Sequence, residues 1–184
     1  MAEFYFKSFP NLTTERLKLR QLEPDDAEKI YFLRSDDQVN KYLDRPRAIT
    51  IDDAVNFILT INTGIDKNEY LYWGIVLQPE NKLIGTICLW NFNIEKSVAE
   101  IGYELHPDFH GKGIMHEALT KVVEFGFQKM KLRAFEAYTN IDNVKSTLLL
   151  QRNHFKKGDF PASNEAGREG TSSQLIFTLT NPDQ

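Results

Sequence analysis

The chain predicts an α+β fold: a single domain over residues 1–184, built on a mixed, mainly antiparallel sheet of about seven strands flanked by about four helices. Three observations predict it. Residues 70–77, 83–92 and 99–105 read as strands joined by short polar turns, which makes an antiparallel meander. Residues 99–105 and 132–139 are two strands linked through a helix, so they run parallel with a right-handed crossover. The helical segments carry their own start signals, as at Pro24 and at Thr50 with Asp53.

The elements follow in order. Residues 1–14 carry Phe4, Tyr5, Phe6 and Phe9 before Pro10 and read as an arm or short strand packed on the domain. Leu17 and Leu19 then share one face of a strand, with Lys18 and Arg20 on the other, ending near Gln21. Glu23-Pro24-Asp25-Asp26 opens a helix with Ala27, Ile30, Tyr31 and Arg34 on one face. Thr50 and Asp53 open a second helix with Ala54, Phe57, Ile58 and Ile61 at helical spacing, and Gly64 is its expected stop. The meander follows. In its third strand Ala99, Ile101, Tyr103 and Leu105 alternate with Glu100, Gly102 and Glu104. Pro107 ends that strand, and a helix runs from Gly113 to about residue 129. After the strand at 132–139, a last helix opens, capped by Asp142 or Asn140, with Val144, Leu148 and Leu149 inward. Phe155 and Phe160 flank a short strand, residues 161–171 form a polar loop, and residues 174–180 close the sheet.

Composition narrows the function classes. Hydrophobic content of 41% and charged content of 26% suit a soluble globular domain. Lys plus Arg number 22 against 26 Asp plus Glu, so no basic excess argues for nucleic acid. A mildly acidic surface is compatible with an amine substrate, which arrives as a cation. Cys88 stands alone, so no internal disulfide forms. No basic leader precedes an apolar run and no run reaches membrane length, so a cytoplasmic protein with no membrane partner is expected. The oligomeric state stays open between monomer and homodimer.

The stretch from Ala99 to Leu119 holds the strongest signal. A strand feeds a turn in which Gly111 and Gly113 bracket Lys112, and Ile114, Ala118, Val122 and Phe125 then recur at helical spacing. Such a turn exposes unpaired N–H groups at the positive end of a helix, a ready phosphate site. Spacing removes two readings. A Walker loop needs glycine where this chain has His106, and Ser or Thr where it has Gly113; a dinucleotide fingerprint needs glycine at His116.

The same stretch resembles motif A of the GNAT superfamily of N-acetyltransferases, whose pattern is Gln or Arg, two residues, Gly, one residue, then Gly or Ala. The frame falls on His110, Gly113 and Met115. His110 replaces the usual Gln or Arg, and Met115 replaces a small residue. Thr13-Thr14-Glu15-Arg16-Leu17-Lys18-Leu19-Arg20 is similar to the opening of the Rim-type branch, the ribosomal-protein N-terminal acetyltransferases and their relatives. Ile101-Gly102-Tyr103 and Asn143-x-x-Ser146 resemble the same branch. Where that branch ends its last helix with Gly-Phe, this chain has His154-Phe155, and the left-handed cap is expected at Asn153.

The resemblance implies transfer of acetyl from acetyl-CoA, as co-substrate, to a primary amine on a protein N-terminus or a small molecule. It also implies parallel strands that splay apart at the CoA site. An alkylamine with pKa near ~10.4 must lose a proton to attack. Glu100 and Glu104 are the candidate bases, and either can fill the role. Ser146 is the implied partner of the leaving thiolate, and Asn143 of the pantetheine or acetyl carbonyl. His110, Gly111, Lys112, Gly113, Ile114 and Met115 are the implied pyrophosphate cradle. A backbone N–H at Leu105 or His106 is the implied oxyanion donor. Pro107 lies between His106 and His110, so no metal ligand set is expected. The acceptor is expected between the first two helices and the loops at 64–70 and 161–172, near Tyr31, Tyr42, Trp73, Trp90 and Phe160. The alternatives are a non-catalytic acyl-CoA-binding module and a phosphate-binding domain unrelated to CoA.

Overall fold

The alternation seen in the sequence sorts side chains onto two faces of one sheet, and each face gathers its own core. The structure, a computed structural model, describes residues 6–158 and 174–183. Phe4, Tyr5, Phe160 and the loop at 161–172 lie outside the described residues.

The strands are β1 (Leu12–Thr13), β2 (Leu17–Arg20), β3 (Leu71–Leu77), β4 (Lys82–Asn93), β5 (Val98–Leu105), β6 (Ala134–Asn140), β7 (Lys156–Lys157) and β8 (Gln174–Thr180). The helices are α1 (Ala27–Ser35), α2 (Asp37–Asn40), α3 (Ile51–Asp66), α4 (Ile114–Gln128) and α5 (Val144–Arg152). The sheet has eight strands in the order β1-β2-β3-β4-β5-β6-β8-β7. The count exceeds the expected one by β1, two residues in the stretch read as an arm or short strand; β7 is the short strand expected after Phe155, and α2, a single turn, is too short to leave a period.

Every strand pair is antiparallel except β5 with β6, which run parallel as expected. That ladder is short. It pairs Val98 with Ala134, Ala99 with Phe135 and Glu100 with Glu136, then stops. Beyond Glu100, β5 pairs with β4 alone and its other edge opens.

One core joins Leu17, Leu19, Trp73, Ile75, Ile101 and Leu105 to Ile114, Ala118 and Val122 of α4 and Leu150 of α5. The other joins Tyr72, Val76 and Leu83 to Ile30 and Leu33 of α1 and Ala54 and Ile58 of α3. Phe6 packs on Phe125 and Phe9 on Trp73, whose indole donates to the Pro10 carbonyl at 2.7 Å, so this part of the arm belongs to the core. Trp73 is fully buried.

Several local expectations are corrected. Arg20 is buried because its guanidinium forms a two-point pair with Asp26, at 2.7 and 2.9 Å, which fastens the start of α1 to β2. Leu33, not Arg34, is the buried residue of the last turn of α1. Gly64 does not stop α3. The Tyr70 hydroxyl crosses there, 2.1 Å from where a Cβ would sit, so the glycine admits a ring and the helix runs on. The cap of α5 is Asn143, whose Oδ1 accepts from the Ser146 N–H at 3.2 Å. With the helix phased from that cap, Val144 and Leu148 face solvent and Leu150 turns inward. The left-handed residue after α5 is His154, with φ of 65°; Asn153 instead ties Leu149 of α5 to Thr120 of α4.

Candidate active site

The site is built where β5 leaves β6. Strand geometry puts Glu100, Gly102 and Glu104 on the face toward α1 and α3, and Ile101, Tyr103 and Leu105 on the face toward α4 and α5. The opening therefore has carboxylates on one side and hydroxyls on the other.

On the carboxylate side both glutamates are buried. Glu104 accepts from Thr86 Oγ1 at 3.1 Å, and Thr86 Oγ1 accepts from the Tyr72 hydroxyl at 2.9 Å. Arg45 Nη2 lies 2.5 Å from the other Glu104 oxygen, and Asn40 and the Leu33 carbonyl hold Arg45 in place. Glu104 is thus one partner of a fastened ion pair. Glu100 stands at the last paired position of the parallel ladder, with Asn91 Nδ2 at 3.4 Å from its carboxylate. Cys88 lies between them, beside Gly102. A Cβ on Gly102 would come within 3.2 Å of its sulfur. Burial, with the Glu104 charge adding to it, pushes the Cys88 thiol up to about 12, so it stays protonated and is no nucleophile.

On the hydroxyl side Tyr103 and Ser146 meet, oxygen to oxygen, at 2.9 Å. Burial pushes the Tyr103 phenol up to about 12, against the opposing effect of the Ser146 bond. Tyr103 entered the sequence reading only as part of a strand motif. Its pairing with Ser146 spans 43 positions and left no local signal.

Between the faces, β5 offers backbone. The His106 N–H donates to the Ile84 carbonyl at 2.8 Å, so His106 is removed as oxyanion donor. Since Ile84 and His106 form a hydrogen-bonded pair, the next pair, Gly85 and Leu105, directs its backbone groups away from each other. The Leu105 N–H then faces the open edge. The Leu105 carbonyl on that edge is taken by the His110 ring nitrogen Nε2 at 2.9 Å. His106 itself is structural, its ring stacked on Phe32 with centroids 4.2 Å apart.

The glycine loop has the conformation its sequence requires. Gly111 and Gly113 have φ of 75° and 74°, and Gly113 is the N-cap of α4. The His110 N–H is engaged by the Pro107 carbonyl at 3.0 Å, so His110 contributes its ring as a staple rather than an amide to the cradle. The N–H groups of Gly111, Lys112, Gly113, Ile114 and Met115 find no acceptor among the described residues. The Met115 side chain is buried in the core with Ile114.

The Thr14–Arg16 segment of the opening motif clasps this loop. Glu117 on α4 takes the Thr14 hydroxyl at 2.5 Å and the Arg16 N–H at 3.0 Å on one oxygen, and the Arg16 guanidinium on the other, with Nη2 at 2.6 Å. Arg16 Nη1 donates to the Lys112 carbonyl at 3.0 Å. Residues nearly a hundred positions apart are thereby joined at the helix N-terminus. Asn143, implied as a partner of the pantetheine or acetyl carbonyl, accepts the Ser146 N–H on its oxygen as the cap of α5, which leaves its amide N–H groups for such a carbonyl.

Comparison with known proteins identifies the family. The acetyltransferase (GNAT) domain matches residues 16–156. An uncharacterised N-acetyltransferase of Bacillus subtilis, YoaA, is 35% identical over 149 residues, covering 81% of this chain and 84% of that protein. The ribosomal-protein-serine acetyltransferase of Escherichia coli is 24% identical over 144 residues, covering 77% of this chain and 80% of its own. Among solved structures, the microcin C7 self-immunity acetyltransferase MccE, in complex with acetyl-CoA and AMP, superposes with a TM-score of 0.77 at 24% identity, over 91% of this chain and 94% of that one. The match across the domain and the identity to YoaA place the chain in the GNAT family, beside the ribosomal-protein acetyltransferases, as an N-acetyltransferase that uses acetyl-CoA.

Proposed function

We propose that the protein acetylates a primary amine, on a peptide N-terminus or a small molecule, by direct attack of the amine on the thioester. The observation that carries this reading is the opening of β5 from β6 just past Glu100, with a carboxylate on one face and the Tyr103–Ser146 pair on the other.

In the proposed reaction the amine nitrogen approaches from the side of α1 and α3. Glu100 takes its proton, directly or through water, as the N–C bond forms. The Leu105 N–H stabilises the carbonyl oxygen as it gains charge. The C–S bond then breaks, and Ser146 donates a hydrogen bond to the departing sulfur. A hydroxyl is far less acidic than a thiol of pKa near ~8.5, so Ser146 stabilises the thiolate and solvent supplies the proton. The amides of 111–115 and the Lys112 charge hold the pyrophosphate. Glu104 serves as the anchor of Arg45. An acyl-cysteine route is disfavoured by the protonated Cys88. No described helix is long and apolar enough to cross a membrane, and a cytoplasmic acceptor fits this reading.

Mass spectrometry of a mixed panel of peptide N-termini and small amines, incubated with acetyl-CoA and the protein, tests it. Acetylated products are expected, with the rate falling on the order of a hundredfold or more in Glu100→Gln. Bound acetyl-CoA with no product from any acceptor would refute the transfer reading.

A further inference from the structure

We propose that the acceptor carries a carboxylate near its amine, and that Arg34 binds it. The proposal rests on the acyl-transfer reading and names the class of acceptor for it.

Of the three arginines between residues 27 and 66, two donate to acceptors on the protein. Arg45 donates to Asn40 and to the Leu33 carbonyl and pairs with Glu104. Arg47 donates to the Ser35 and Asp36 carbonyls and to Asp37. Arg34 differs. Its guanidinium sits 3.9 Å over the Phe57 ring, half-buried, and no carboxylate, carbonyl or hydroxyl among the described residues accepts from it. The ring and the C-terminal end of α1 stabilise its charge but fill none of its five N–H donors.

The surroundings favour an anion at Arg34. Burial and the neighbouring Arg45 charge disfavour the charged Arg34 guanidinium, and the Glu104 charge opposes them only in part. A half-buried guanidinium with open donors gains more from a carboxylate than a fully exposed one does. Arg34 stands on α1, which packs over the sheet face that carries Glu100 and Glu104, the side from which the amine is proposed to approach. A guanidinium fork suits a carboxylate. The same charge repels polyamines.

The test measures kcat/KM with saturating acetyl-CoA for two matched pairs and one polycation. A Ser-Glu peptide amide against its Ser-Gln counterpart reads a side-chain carboxylate. Free alanine against alaninamide reads an α-carboxylate. Spermidine is the polycation. One acid is expected to exceed its neutral partner by about tenfold, the worth of a charge-assisted contact. That preference should vanish in Arg34→Gln, persist in part in Arg34→Lys, and leave the neutral partner's rate unchanged. Equal rates within both pairs, a preference for spermidine, or equal loss for acid and neutral partners in Arg34→Gln would overturn the proposal. Calorimetric binding of the N-acetylated compounds in the presence of CoA reads the same preference without turnover. A retained preference there with no CoA release from any acceptor would refute the transfer reading and leave the subsite standing. Equal affinities would refute the subsite.

Discussion

The clasp between Glu117 and the Thr14–Arg16 segment gives the sharpest prediction. Glu117→Ala removes four contacts at once: the Thr14 hydroxyl, the Arg16 N–H, and two guanidinium nitrogens. The ion pair alone is worth little, because 43% of the Arg16 side chain is exposed, and about 0.5–1 kcal/mol is the ordinary contribution of such a pair. The hydroxyl and N–H bonds to the carboxylate contribute about 1 kcal/mol each at this partly shielded position. A loss of about 2–3 kcal/mol follows, or about 5–10 °C in Tm for a domain of this size. Because Arg16 also holds the Lys112 carbonyl, the loop should loosen and the KM for acetyl-CoA should rise. Thermal unfolding and a thiol-release assay read the two effects. Glu124→Ala, which removes the exposed pair with Lys121, is the control and should do neither.

The same residue sets a pH signature. Burial raises the Glu117 carboxyl, but bonds from Thr14 and Arg16 outweigh it and hold it below the usual glutamate range. Its folded pKa is therefore lower than its unfolded one, near ~4.3. The stabilisation is complete above that unfolded value and is lost as pH falls through the folded value. The stability gap between wild type and Glu117→Ala should be constant at neutral pH and shrink below about pH 4. An unchanged Tm in Glu117→Ala, or a gap that grows on acidification, would refute the reasoning. A lowered Tm with an unchanged KM would show that the clasp holds the fold and not the loop.

Three other predictions follow from the site. Tyr103→Phe and Ser146→Ala should each lower kcat with little change in KM for acetyl-CoA, and the double variant should lose little beyond the worse single one, since the two hydroxyls act as a unit. Gly113→Ala forces a side chain into a backbone with φ of 74°, so it should cost about 1–2 kcal/mol in urea unfolding and raise the KM for acetyl-CoA. Cys88→Ala should keep its kcat, and wild type should resist inactivation by iodoacetamide, because a thiol raised to about 12 carries almost no thiolate at neutral pH. Rapid loss of activity on alkylation at Cys88 would contradict that.

Local patterns were readable where one segment settles its own conformation. The alternation at 99–105, the Thr50–Asp53 capping box and the paired glycines at 111 and 113 each recur in the structure as the residues dictate. Patterns failed where a distant partner decides. Gly64 reads as a stop until Tyr70 is laid across it. Val144 and Leu148 read as inward until Asn143, rather than Asn140 or Asp142, sets the phase of α5. Arg20 reads as an outward strand residue until Asp26 arrives to neutralise it.

The sequence by itself determined the order of the longer elements and the left-handed glycine loop at a helix N-terminus, because backbone preference and side-chain period are local properties, while the candidate set of Glu100, Glu104 and Ser146 came from the family resemblance. Only the tertiary structure decided how those candidates differ. Glu104 is held by an arginine from the segment after α2, Ser146 is met by Tyr103 across the sheet, His106 spends its amide on β4, and Arg16 reaches the loop from the other end of the chain. Each of these depends on a contact between segments far apart in sequence, and neither composition nor spacing encodes the distance between two side chains until the sheet has closed.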